Sequence, residues 1–194
     1  MKTVFFDIDT QIDFLFPAGA LYVPGAERLL PALKQLNQYA AARGIPLVST
    51  MDAHAEDDPE FLHWPPHCVV GATGQRKPVE TLLERRVVIP TAPGDYPLGD
   101  AQQIILEKQA LDLFTNPNFP RLLQQLDAGP CVVYGVVTEH CVRCAAMGLL
   151  RLGRPVELVR DAIRSLEEEA SRRTLEEFTA AGGRLVTLAQ VCAQ

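Results

Sequence analysis

The chain has 194 residues, of which 47% are hydrophobic and 22% are charged, and its formal net charge is −6. This composition predicts a single globular domain over residues 1–194 with a substantial apolar core. An acidic chain without a long Lys/Arg run argues against nucleic acid or an anionic membrane surface as a partner, because both require a clustered basic face. We therefore expect the partner to be a small molecule.

Two further features bear on the compartment. The sequence contains neither a signal-peptide pattern nor an apolar span of about 18 residues. Its five cysteines are an odd number, and the chain is large enough to be stable without disulfide bonds. We expect a cytoplasmic protein without a disulfide framework, so that each thiol needs its own chemical explanation.

Short apolar runs alternate along the chain with segments of helical period, which is the rhythm of βαβ units. The predicted strands are 3–8, 45–51, 87–90, 103–107, 131–137, 156–160 and 184–188. The predicted helices are 26–43, 119–126, 139–152 and 167–181. Runs such as CVVYGVV are apolar throughout, as strands buried on both faces are. The sequence therefore predicts an α/β fold, a doubly wound and mostly parallel sheet with helices on both faces.

Polar residues stand where several predicted strands end. Asp9 follows the first strand, Asp52 and His54 follow the second, Lys108 ends the strand IILEK, and Cys141 comes just after CVVYGVV. Ligands of parallel sheets bind outside the carboxyl ends of the strands. We therefore expect these side chains to converge on one site.

Cys141 is a candidate nucleophile, because a thiol in the first turn of a helix is favoured as thiolate and lies near free backbone N–H groups. Asp9 is the candidate acceptor of its proton, and Lys108 the candidate cation that stabilises the charge. A free cysteine is also commonly just a small buried apolar residue, and this alternative stays open here. A second alternative uses the C-x-x-C spacing of Cys141 and Cys144, which occurs in dithiol redox centres.

The segment MDAHAEDDPEFLHWPPHC at 51–68 contains three of the four histidines. Asp52 and His54 alternate after a strand, so their side chains point the same way if the chain is still extended there. With His67 they form a predicted site for a divalent metal ion, zinc first and iron or manganese as alternatives. Glu60 is a candidate fourth ligand, and His63 is predicted to be a surface imidazole.

The other acids of this segment are Glu56, Asp57 and Asp58. Adjacent carboxylates repel one another and cannot all face one ion, so we expect these three to be solvated charges.

Four motifs, taken together, resemble the isochorismatase-like superfamily of cysteine hydrolases, and within it the nicotinamidases or pyrazinamidases. These are FDIDTQIDF, DAH followed by WPPHC, the lysine of IILEKQ, and YGVVTEHCV. Their order, spacing and position after strands agree together over roughly residues 3–161. The resemblance implies a six-stranded parallel sheet and a homo-oligomer, either a dimer or a tetramer.

The resemblance also implies roles for the residues. Asp9, Lys108 and Cys141 would be catalytic, forming a thioester with a small carboxamide and releasing ammonia. The backbone N–H groups of Val137 and Cys141 would form an oxyanion hole next to a cis peptide between Val136 and Val137. The metal ion held by the predicted ligands would bind the pyridine nitrogen of the substrate.

The implied pocket residues are Phe14, Leu21 and Trp64, with His140 as a further candidate. Two positions next to Cys141 depart from the family pattern: Glu139 replaces the usual Asp, and His140 replaces an aromatic or apolar residue. The segment QALDLFTNPNF after Lys108 also differs from that of nicotinamidases. A metal-independent hydrolase of another small amide is therefore the alternative function.

Overall fold

The computed structural model describes residues 1–193, which form a central sheet of seven strands flanked by six α-helices. The strands are β1 (Lys2–Ile8), β2 (Leu47–Asp52), β3 (Arg86–Ile89), β4 (Gln103–Lys108), β5 (Ala128–Val136), β6 (Val156–Arg164) and β7 (Arg184–Val186). The helices are α1 (Ile12–Leu15), α2 (Leu30–Ala42), α3 (Phe119–Gln125), α4 (Arg143–Arg151), α5 (Glu168–Ala180) and α6 (Leu188–Cys192).

The strands lie in the order β3-β4-β2-β1-β5-β6-β7, and every neighbouring pair is parallel. This arrangement confirms the predicted α/β fold with a parallel sheet. The sheet has seven strands where the resemblance implies six, and each of the seven apolar runs in the sequence corresponds to one of them. Among residues 1–193, no helix has the length and apolarity needed to cross a bilayer.

Alternation along β1 divides the core between the two faces of the sheet. Val4, Phe6 and Ile8 belong to a buried cluster that includes side chains of α3, α4 and α5. Phe5 belongs to a second buried cluster with side chains of α2 and α6. Successive side chains of a strand point to opposite faces, so an apolar strand is buried on both sides only when helices cover both sides. The prediction of helices on both faces is confirmed.

The structure differs from the predicted elements mainly at helix ends. The predicted helix 26–43 begins with a 3₁₀ turn, Ala26–Leu29, and becomes α-helical with α2 at the point where Pro31 occupies the first turn. The predicted helix 139–152 begins with a π-helical turn, Thr138–Val142, and continues as α4. Helices α1 and α6 were not predicted, because four or five residues are too few to show a helical period.

The sheet order brings the carboxyl ends of β4, β2, β1 and β5 next to one another. The close approach of β5 to β1 requires glycine at position 135, where φ is +118° and a Cβ atom would lie 2.2 Å from the backbone oxygen of Ile8. The loops after these four strands therefore meet above one edge of the sheet, which is where the predicted site residues lie.

Candidate active site

Four buried side chains meet at this edge, one from the end of each of these four strands. Asp9 follows β1 with a positive φ of 47°, and Asp52 and Lys108 are the last residues of β2 and β4. Asp52 and Lys108 are also direct neighbours in the β2–β4 register. Cys141 lies in the π-helical turn after β5. All four side chains are buried.

Lys108 is the centre of this group. Its Nζ atom lies 2.9 Å from Asp9 Oδ2 and 2.5 Å from Asp52 Oδ1. It also lies 3.6 Å from Cys141 Sγ and donates a hydrogen bond of 3.0 Å to the backbone oxygen of Ala110. One ammonium group thus contacts two carboxylates and the thiol, which places the three predicted catalytic residues together.

The two carboxylate oxygens of Asp9 have different surroundings: Oδ1 accepts a hydrogen bond from a hydroxyl group, whereas Oδ2 can still accept a proton. Thr50 Oγ1 donates a hydrogen bond of 2.6 Å to Asp9 Oδ1, and the backbone N–H of Asp9 donates one of 3.0 Å to Thr50 Oγ1. Asp9 Oδ2 is buried and, although close to the Lys108 ammonium, accepts no well-aligned hydrogen bond from the described residues. A buried carboxylate oxygen that contacts the same ammonium as a thiol is suited to proton transfer.

The surroundings favour a neutral thiol and a charged lysine. Burial raises the pKa of Cys141 well above its usual value, and Asp9 and Asp52 raise it further, although Lys108 lowers it. Burial alone lowers the pKa of Lys108, but Asp52 and Asp9 outweigh this effect and hold that pKa well above its usual value. Burial and the two carboxylates therefore oppose the thiolate that the helix start favours. Proton removal from Cys141 requires a base.

The predicted metal ligands also come together. Asp52, His54 and His67 are buried, and each offers a ligand atom within 4.8 Å of those of the other two. His54 Nε2 is buried without a hydrogen-bond partner among the described residues and lies 3.9 Å from Asp52 Oδ2. A buried imidazole nitrogen without a partner, facing a carboxylate and a second imidazole, fits a divalent metal ion.

Both histidine rings are oriented by hydrogen bonds from their other nitrogen. His54 Nδ1 donates to Asp58 Oδ2 at 2.9 Å, and His67 Nδ1 donates to the backbone oxygen of Pro65 at 2.8 Å. These bonds require a proton on Nδ1 and leave Nε2 as the lone-pair donor in each neutral ring. Burial also lowers the pKa of His67, which favours the neutral imidazole that a metal requires.

The expectation that Asp58 is a solvated charge is wrong. Its side chain is 9% exposed, and Oδ1 accepts the backbone N–H of Glu60 at 2.9 Å while Oδ2 contacts His54. Glu56 and Asp57 are exposed, as expected. Repulsion between the adjacent carboxylates does not keep Asp58 in solvent, because the chain turns at Pro59–Leu62 and this turn directs the Asp58 side chain inward.

The structure separates the two remaining candidates of this segment. Glu60 lines the same cavity as His67 but does not belong to the converging group of three ligands. His63 is exposed at the end of the Pro59–Leu62 turn.

The side chains of Gln11 and Asp13, in the FDIDTQIDF motif, form hydrogen bonds with backbone groups of other segments, and these contacts were not predicted from the sequence. Gln11 Oε1 accepts the N–H of Asp52 at 2.8 Å, and its amide nitrogen donates to the Asp52 carbonyl at 2.9 Å. Asp13 accepts the N–H groups of Cys68 and Ala20, at 2.7 and 2.9 Å. The period-two spacing of Asp9, Gln11 and Asp13 was the available signal, but the backbone partners are far away in sequence.

Cys141, the candidate nucleophile, lines a cavity. It is lined by all four predicted pocket residues, Phe14, Leu21, Trp64 and His140, and the rings of Trp64 and His140 meet edge to face at 5.4 Å. Leu111 and Leu166 also line it and were missed. The remaining lining side chains are Asp52, Glu60, His67, Val136, Val137 and Cys141.

The peptide between Val136 and Val137 is cis, as the resemblance implies. Cys141 lines the cavity, whereas Cys144, half-buried in α4, is not among the lining residues of the described chain. Both are free thiols. The geometry thus associates Cys141 with the carboxylates and separates Cys144 from them.

Comparisons with known proteins relate the chain to one family of hydrolases. The family model described as the isochorismatase domain matches residues 3–190. The nicotinamidase of Escherichia coli is 24% identical over 94% of this chain and 93% of its own length. The structure of the pyrazinamidase of Pyrococcus horikoshii in complex with zinc is 27% identical, covers 96% of this chain and 99% of that one, and superposes with a TM-score of 0.81. A protein of L. infantum in complex with nicotinate is 25% identical, with 97% and 93% of the two chains covered and a TM-score of 0.79.

Proposed function

This chain belongs to the isochorismatase family, and from that membership and the geometry of the site we infer that it is a hydrolase of amide C–N bonds acting on a small pyridine carboxamide such as nicotinamide. The observation that carries this proposal is the contact of one buried ammonium, that of Lys108, with Asp9, Asp52 and Cys141. This contact brings the proposed nucleophile, Cys141, and the proposed base, Asp9, next to the charge-stabilising ammonium. The same ammonium contacts Asp52, which is a ligand of the predicted metal site.

In the proposed reaction, Asp9 Oδ2 takes the proton of the Cys141 thiol while the Lys108 ammonium stabilises the negative charge that moves to sulfur. The thiolate attacks the carboxamide carbon, and the electron pair of the C=O bond moves to oxygen. The backbone N–H groups of Val137 and Cys141 are the proposed donors to that oxyanion. Collapse of the tetrahedral intermediate breaks the C–N bond, and ammonia leaves with the proton held by Asp9.

The second half of the reaction reuses the same base. A water molecule gives a proton to Asp9 and attacks the acyl thioester, which releases the carboxylic acid and returns the proton to Cys141. Lys108 keeps its charge throughout, because its pKa is held well above the usual value by Asp52 and Asp9 despite burial. The apolar side chains Phe14, Leu21 and Trp64 exclude water from the rest of the cavity.

Asp52, His54 and His67 are the residues that would hold a divalent ion, with Glu60 as a candidate additional ligand. A bound ion would supply a Lewis acid to which a ring nitrogen of the substrate can bind. Zinc is the first choice for a set of one carboxylate and two imidazoles, and iron or manganese are alternatives.

The test is ammonia release from nicotinamide and from a panel of small amides. Protein stripped with a chelator is assayed alone and after addition of zinc, iron or manganese. We expect turnover of nicotinamide that Cys141→Ala abolishes and Cys144→Ser preserves. A dependence on Cys144 would favour the dithiol alternative, and no turnover of nicotinamide with any metal would refute the proposed substrate.

A second function is supported by one contact. Asp52 Oδ1 is paired with Lys108 at 2.5 Å, so this carboxylate has a role without any ion. A metal-independent hydrolase of another small amide would use the same pair. Full activity of the chelator-treated protein on another member of the panel would identify this alternative.

A further inference from the structure

One wall of the cavity comes from a loop that is remote in sequence from the nucleophile. Leu166 lies between β6 and α5 and lines the cavity together with Cys141 and Val137. Its side chain packs against the buried cluster that includes Phe14 and Val137. The position of this loop therefore affects the space next to the reacting thiol.

The loop is tied to the turn that carries the nucleophile. Glu139, two residues before Cys141, accepts the backbone N–H of Leu166 at 2.8 Å and that of Glu167 at 2.9 Å, both through Oε1. Glu167 immediately precedes α5, a helix of 13 residues, so the carboxylate also lies at the positive end of that helix. Hydrogen bonds from N–H groups to a carboxylate are shorter and stronger than those between neutral groups.

A second tether holds the last residue of β6, where this loop begins. Arg164 Nε donates a hydrogen bond of 3.0 Å to the backbone oxygen of Pro24, in the segment that follows Leu21. This contact is exposed, whereas Glu139 Oε2 is a buried atom without a partner among the described residues. The loop therefore spans from the Leu21 segment to the Cys141 turn, and Glu139 provides its attachment at the Cys141 end.

We propose that Glu139 is a positioning residue that sets the distance between the Leu166 wall and Cys141 and thereby limits the size of the amide that the site admits. Glu139 itself is not a catalytic residue, since it acts through Leu166. The inference rests on the proposed amidase function for its biological meaning. Its structural content concerns access to Cys141 and is testable without an amide substrate.

The first test measures access to the thiol. Wild-type protein and variants react with iodoacetamide and with a bulkier N-aryl iodoacetamide, and mass spectrometry follows the peptide that contains Cys141. We expect Glu139→Ala to raise the rate ratio of bulky to small reagent about tenfold, the factor for losing roughly one charge-assisted hydrogen bond. Leu166→Ala, which removes the side chain that lines the cavity, should raise the same ratio. The double variant should equal the larger single effect, because both changes act on the same wall.

Three further variants give the test its specificity. Glu139→Gln keeps an oxygen acceptor of the same length and should restore a ratio close to that of the wild type. Glu139→Asp shortens the side chain by one methylene and should alter the ratio while leaving a carboxylate. Glu177→Ala, which removes an exposed ion pair between Arg143 and α5 without touching the loop, should leave the ratio unchanged.

The second test is kinetic and uses nicotinamide against nicotinamides with larger ring substituents. Glu139→Ala should raise KM for nicotinamide more than it lowers kcat, and should shift the selectivity toward the larger amides as Leu166→Ala does. A labelling ratio that responds to Leu166→Ala but not to Glu139→Ala or Glu139→Asp would overturn the proposal. So would additive effects in the double variant. Absence of amide turnover by the wild type would refute the proposed function alone, since the labelling experiment does not depend on it.

Discussion

The contact between Asp58 and His54 leads to a sharp prediction about metal affinity. His54 Nδ1 and Asp58 Oδ2 are 2.9 Å apart, with the imidazole fully buried and the carboxylate 9% exposed. Removing a charge-assisted hydrogen bond costs about 1.5–3 kcal/mol. Since about 1.4 kcal/mol corresponds to a factor of ten in Kd, Asp58→Ala should weaken zinc binding roughly 10- to 100-fold, the range typical of partners that orient a ligating histidine.

The assay is competition for zinc between the metal-free protein and a chromophoric chelator at fixed pH. Asp57→Ala is the matched control, because it removes the same charge from the exposed neighbouring residue. Asp58 also accepts the N–H of Glu60, and Asp58→Ser tests that role separately, since a serine at this position can cap the turn but cannot reach His54. We expect Asp58→Ser to bind zinc as weakly as Asp58→Ala.

A second measurement reports on the imidazole itself. Long-range ¹H–¹⁵N NMR of the metal-free protein should show the Nδ1–H tautomer of His54, and Asp58→Ala should shift the ring toward the other tautomer. If Asp58→Ala and Asp57→Ala bind zinc equally tightly, the idea that Asp58 orients a ligand is refuted.

Three other predictions concern the base, a buried ion pair and the pH dependence of stability. Thr50→Val removes the hydroxyl that donates to Asp9 Oδ1, so kcat should fall about tenfold, whereas kcat of Thr50→Ser should stay near that of the wild type. Equal kcat values for Thr50→Val and the wild type would argue against a role for this hydrogen bond. Lys77 pairs with Asp7 at 3.3 Å, and both side chains are buried. Lys77→Met should lower the free energy of unfolding in urea by roughly 3–5 kcal/mol, and a second change, Asp7→Asn, should recover part of that loss. An unaltered urea midpoint in Lys77→Met would contradict this prediction. Burial raises the pKa of Glu107, so its contribution to stability is present below the unfolded-state pKa and is lost as pH rises through the folded-state pKa. Glu107→Gln should therefore be more stable than the wild type near neutral pH and equal to it below about pH 4, as measured by thermal unfolding across pH.

The sequence determined the architecture because its signals are local. Runs such as CVVYGVV are apolar at every position, which is typical of strands in a parallel sheet that helices cover on both faces. All seven strands were therefore located, with errors of a few residues at their ends. The site candidates followed from the same logic, since Asp9, Asp52, Lys108 and Cys141 each stand at or just after the end of a strand.

The tertiary structure decided which side chains act on those candidates. Asp58 looked like its exposed neighbours Glu56 and Asp57, and only the turn at Pro59–Leu62 directs it to His54. Gln11 and Asp52 are 41 residues apart, so no local pattern announces their hydrogen bonds. Glu139 was read as a substitution within a motif, yet its carboxylate binds a loop 27 residues away.

The electrostatic state of the nucleophile was also a tertiary property. The helix start after β5 suggested a thiolate, but burial and two neighbouring carboxylates raise the pKa of Cys141. Periodicity and motif spacing report which residues face the core or follow a strand, because these depend on neighbours within a few positions. Contacts between loops, ring orientations and pKa values depend on distances between remote segments, and those distances exist only once the sheet has brought the segments together.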